Sequence, residues 1–84
     1  MKQISPEAFI KVGIAWGKRL RKYRESLGMA FRELACRAGI SENALYRIEM
    51  GQRTGNLRTW EQIAQGFGLK IEELLRELRG LEEE

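Results

Sequence analysis

Residues 31–51, FRELACRAGISENALYRIEMG, read as two short helices joined by a sharp corner. In the first half, Leu34, Ala35 and Ala38 recur at helical spacing and form one small apolar stripe. Gly39 ends that helix, because glycine adopts a left-handed φ without the Cβ clash another residue would suffer. Ile40 packs inward after the turn. Ser41 follows, and its hydroxyl can accept from the free backbone N–H groups that open the next helix. Leu45 and Ile48 supply that helix's buried face, and Gly51 can terminate it.

Outward from this stretch the chain continues to read as helix. Ser5-Pro6-Glu7 is a start signal, with a serine cap, a proline where its missing N–H costs nothing, and an acid at the positive end of the dipole. Phe9, Gly13, Trp16, Leu20, Tyr23 and Leu27 then make one stripe, predicting a first helix over residues 6–27. Gly13 and Gly17 should weaken it by about 1 kcal/mol each relative to Ala, with a break near Gly13 as the main hazard. Before Ala15 the segment is apolar on several sides (Phe9, Ile10, Val12, Ile14). It either self-associates or folds back over the core. After Gly51, a polar loop leads to Asn56 as the cap of a helix ending near Gln65, with Leu57, Trp60, Ile63 and Ala64 inward and Phe67 beyond. Gly68 closes it. A last helix over 71–79 carries Ile71, Leu74, Leu75 and Leu78; Leu75 and Leu78 exceed what short helices usually bury, so they offer a second dimer contact. Glu82-Glu83-Glu84 should be disordered. The expected fold is all-α, a compact five-helix bundle.

At 84 residues the chain is read as one small domain, able to bury about 60–65% of its unfolded surface. Residues 1–14 form an N-terminal helical extension, 15–76 the core, and 80–84 an acidic tail. No stretch approaches the ~20 apolar residues of a membrane span, and Lys11 interrupts the one candidate signal segment, so a cytoplasmic protein without membrane contact is expected. One cysteine and no histidine exclude an intramolecular disulfide and leave no zinc cluster or histidine base. No metal, cofactor, catalytic residue or small-molecule substrate is implied. Cys36 reads as an ordinary helix residue, since reactive thiols need an electropositive site. Charge is unevenly placed: residues 1–55 hold 11 Lys/Arg and 5 Glu, residues 56–84 hold 4 Lys/Arg and 7 Glu. The basic part contains the cornered helix pair, as a nucleic-acid surface requires.

Helix, tight glycine turn and capped second helix make a helix-turn-helix pattern. Leu34-Ala35, Gly39, Ser41, Leu45, Ile48, Glu49 and Gly51 together resemble the phage repressor/Cro, or Xre-type, family. The resemblance extends to Trp16-Gly17, Leu20-Arg21, Arg24 and Gly28 on one side, and to Leu57, Thr59, Ile63-Ala64, Phe67-Gly68 and Leu74 on the other. It covers roughly residues 15–76. It implies a repressor-like bundle in which helices 2 and 3 form the motif, and a sequence-specific transcriptional regulator, a repressor acting as a homodimer on a two-fold symmetric operator in double-stranded DNA.

The second motif helix would enter the major groove by its N-terminal turns, on a face made of Glu42, Asn43, Tyr46 and Arg47. Asn can bind adenine N6/N7, Arg can bind guanine O6/N7, and Glu can accept from cytosine N4. Tyr46 would meet a thymine methyl or the backbone. Ser41, Arg32 and Arg53 are the expected backbone contacts, helped by free N–H groups at helix starts. The resemblance also implies that Arg24 pairs with Glu49, an acid the helix dipole disfavours at a C-terminus. Two positions depart from the family. Its usual Ser/Thr cap and phosphate-clamping Gln are Ala30 and Phe31 here, so Phe31 stands at a backbone-contact position without a polar group, free to meet sugar, a thymine methyl or another protein. Gly55 stands where Pro is frequent and should soften its loop. The alternative function is a protein-interaction module that keeps the fold with weak or no DNA binding, supported by Phe31 and Glu42.

Overall fold

A computed structural model of the protein describes the backbone of residues 6–81 and the side chains of residues 16–81. Five helices follow in order: α1 (Pro6–Ser26), α2 (Phe31–Ala38), α3 (Glu42–Glu49), α4 (Leu57–Gly66) and α5 (Ile71–Arg79). The fold is the expected all-α bundle, and α1 runs through Gly13 without a break. The Ser5 cap, the glutamate run 82–84, and the apolar side chains Phe9, Ile10, Val12 and Ile14 with the self-association proposed for them lie outside the described residues.

Four helices end in the same way. After α2, Gly39 takes φ 69°, its N–H donates to the Cys36 carbonyl and the Ile40 N–H donates to the Ala35 carbonyl, both at 3.1 Å. This double bond from the two residues past a helix satisfies carbonyls that would otherwise be orphaned. The same donors recur at Gly28-Met29, Gly51-Gln52 and Gly68-Leu69. Starts are capped locally. Asn56 Oδ1 accepts from the Thr59 N–H at 2.8 Å, and the Glu73 carboxylate accepts from the Lys70 N–H at 2.9 Å. Ala30 offers α2 no side-chain cap.

The core is built from Leu20, Leu34, Ala35, Ala38, Leu45, Ile48, Ile63, Ala64, Leu74 and Leu78. Each comes from a helical stripe, so α1 packs on α3 and α5, α2 on α4, and α4 on α5. Trp16, Tyr23, Ile40, Trp60 and Phe67 close around it. Tyr23 meets Phe67 edge-on at 5.0 Å between ring centroids. Burial, with Glu77 nearby, raises the Tyr23 pKa.

Several expectations from periodicity need correction. Leu78 is fully buried, so it is core and not a spare dimer contact, while its neighbour Leu75 is 36% exposed at the edge of the same face. Leu27 is exposed because α1 ends at Ser26 and the stripe ends with it. Leu57 is 69% exposed as the first residue of α4, where side chains tilt back beyond the helix start. Gly17 is not merely a weak point in α1. A Cβ there would collide with the Ile48 carbonyl oxygen and lie 3.1 Å from its carbon, so glycine is what lets α1 cross the end of α3 backbone to backbone. Gly55 does not slacken its loop either. It sits at φ 74°, which proline cannot adopt, and a Cβ would meet Trp60 and Ile48 at 3.2 and 3.3 Å. Trp60 Nε1 donates to the Thr54 carbonyl at 2.7 Å and pins the loop there.

Candidate nucleic-acid interface

The corner at Gly39 turns α3 so that Leu45, Ile48 and Glu49 face inward. By helical periodicity the opposite face then carries Glu42, Asn43, Tyr46 and Arg47, and all four are exposed, Tyr46 by 50%. The chain thus presents a carboxylate, an amide, a phenol and a guanidinium within two turns. Ser41 Oγ accepts from the Ala44 N–H at 3.0 Å, which fixes the first turn of α3 and leaves the hydroxyl proton available to another acceptor. Arg53 is exposed on the loop beyond α3. Its N–H and that of Gln52 both donate to the Arg47 carbonyl, at 3.2 and 2.8 Å, holding the loop against the helix end.

Behind this face lies an ion pair. Arg24 Nε donates to one Glu49 carboxylate oxygen at 2.9 Å and Nη2 donates to the other at 3.0 Å. Nη1 donates to the Met29 carbonyl at 2.9 Å, so one guanidinium ties α1, its terminating turn and α3 together. Arg24 is 8% exposed and Glu49 5%. Hydrogen bonding to Glu49 pushes the Arg24 pKa above its ordinary value although burial works the other way. Within the pH range of folded proteins the guanidinium therefore stays charged.

Phe31 does not project free from α2. It is half-buried against the core, with its ring 5.6 Å from the Arg24 guanidinium carbon, and covers the ion pair on one side. Its outer edge joins Arg21, Tyr46 and Met50 around an open groove of about 250 Å³, with Arg24 and Glu49 at the base. Met50 is exposed and lies one turn from Tyr46; that four-residue spacing was the available sequence signal for it.

The basic run of α1 divides by environment. Arg24 is buried, Arg19 lies over the Trp16 ring at 5.2 Å, and Arg21 pairs with Glu25 at 3.5 Å. On α2, Arg37 pairs with Glu33 at 2.9 Å. Arg32 is also partnered. Its Nε lies 3.3 Å from Glu42 Oε1, linking the first turns of α2 and α3 and joining an expected backbone contact to an expected base reader. Nothing in the spacing of the sequence indicated this. Cys36 is exposed, and no group of three His, Cys, Asp or Glu side chains among the described residues is placed to hold a metal.

The sequence of this domain has relatives among known proteins. A family profile described as a helix-turn-helix domain matches residues 15–78. The chain belongs to that family, as a helix-turn-helix domain of the Xre/Cro superfamily. A protein of Archaeoglobus fulgidus, described as an uncharacterized HTH-type transcriptional regulator, is 34% identical over 56 residues. That alignment covers 67% of this chain and 80% of the archaeal protein.

Proposed function

We propose that this protein is a cytoplasmic, sequence-specific double-stranded DNA-binding regulator of transcription, acting as a homodimer on a two-fold symmetric operator. The observation that carries the reading is the outward face of α3, where Glu42, Asn43, Tyr46 and Arg47 are exposed together on a helix fixed from behind by Arg24. Such a helix can lie in a major groove with its first turns against base edges. Asn43 and Arg47 supply the bidentate chemistry for adenine and guanine, and Glu42 an acceptor for cytosine N4. Arg53 and the Ser41 hydroxyl would hold phosphates on either side. Two copies would place their α3 helices one turn apart, about 34–36 Å. Regulation would follow from occupancy of the site.

Selection from a random duplex pool, followed by binding across a salt series, tests the reading. A symmetric site should emerge, and log K should fall against log salt with a slope of about −0.9 per phosphate neutralised. Arg47→Ala should cost about 1–3 kcal/mol and relax specificity at one base pair, whereas Arg53→Ala should weaken all sequences alike. Absence of binding to any duplex at low salt would sink the reading and leave the protein-interaction alternative, whose natural surface is the groove between Phe31, Tyr46 and Met50.

A further inference from the structure

The geometry points to Arg32 as a positioning residue that aims Glu42 at a base, and not simply as an independent phosphate anchor. This rests on the DNA-binding reading and deepens it. Glu42 opens α3, where the helix dipole welcomes its charge but a DNA phosphate backbone would repel it. Arg32 Nε reaches Glu42 Oε1 at 3.3 Å across the corner, which sets a cation beside the carboxylate where it would enter the groove. The contact is made by Nε and one carboxylate oxygen. Glu42 Oε2 remains to accept from cytosine N4, and the two terminal nitrogens of Arg32 remain to donate to a phosphate.

The pair therefore forms a bridge running from phosphate to Arg32, from Arg32 to Glu42, and from Glu42 to base. Register on the backbone and choice of base become one coupled event. Phe31, the neighbouring residue on α2, carries no polar group for that span, so the task falls to Arg32. Lysine could not replace it, because an ammonium is a point charge without the separated donors of a guanidinium.

The test is a double-mutant cycle read as base preference. With the selected operator and its variants at each position, the wild-type protein should prefer cytosine at one position by roughly five- to 150-fold. Arg32→Lys should reduce that preference toward the level of Glu42→Ala, by a larger factor than any weakening it causes on an unrelated duplex. In the Glu42→Ala background, Arg32→Lys should remove nothing further. Thermal unfolding of the variants should match the wild type, since both side chains are exposed. If Arg32→Lys and Arg32→Ala weaken every sequence by a common factor with the preference intact, Arg32 is a plain anchor and the inference is overturned. It is also overturned if Glu42→Ala leaves every preference unchanged. Failure of the wild type to bind any duplex is a different result, which removes the DNA reading itself and this inference with it.

Discussion

The helix α3 begins and ends on glutamate, and an arginine from an earlier helix meets each one. At its C-terminal end Glu49 is buried and takes two bonds from Arg24, at 2.9 and 3.0 Å. At its N-terminal end Glu42 is exposed and meets Arg32 through one contact at 3.3 Å. The helix dipole opposes the first acid and favours the second. The buried glutamate thus depends on its partner, while the exposed one would be tolerated alone. Similar chemistry gives a structural clamp in one place and an adjustable contact in the other, and solvent is what separates them.

Glu49→Ala should break the comparison most severely. It leaves the Arg24 charge buried without a counter-ion, at a cost of about 3–5 kcal/mol by urea unfolding, a large part of what so small a domain possesses. Replacing both residues by apolar ones should recover most of that loss. A single-mutant loss under about 1 kcal/mol would mean the clamp is no stronger than a surface pair. Next in size is Gly17→Ala. Helix propensity alone would favour alanine by about 1 kcal/mol, but the backbone crossing with Ile48 should reverse the sign and cost about 1–3 kcal/mol. A raised melting temperature would show that α1 can stand off from α3, and with it the Arg24 geometry. The smallest effect sharpens the other half of the comparison. A double-mutant cycle on Arg32 and Glu42 should give a coupling in stability of at most about 1 kcal/mol, fading in 1 M salt. Coupling that survives high salt would place that pair in the structural class.

Local signals carried most of the fold. Gly39, Ser41 and Asn56 announce helix ends through backbone chemistry acting within a few residues, and the helices stop or start at them. Periodicity located Leu34, Leu45, Ile48 and Ile63 in the core. What periodicity could not give was the partner of each face. Gly17 looked like a defect because its reason lies across the bundle at Ile48. Leu75 and Leu78 share one apolar face, and only the packing of α5 decides which is covered. Phe31 read as free because the cation beneath it arrives from α1, and Gly55 read as slack because its constraint comes from Trp60. At the candidate interface, spacing places Glu42, Asn43, Tyr46 and Arg47 on one face, whereas the Arg32 contact depends on the angle made at the corner.

The span of the Arg24–Glu49 pair has a consequence in time. It joins residues 25 apart in the chain, whereas the bonds that shape the Gly39 corner join residues no more than five apart. Long loops are closed against a larger entropy, so the corner is expected to form before the clamp, and stopped-flow kinetics of Glu49→Ala should show its loss mainly as faster unfolding. Interactions absent from the transition state leave the folding rate nearly untouched and act on the unfolding rate. On that order the buried pair would govern how long α3 stays seated after the chain has folded. It would then act as a clock on the native state more than as a guide toward it.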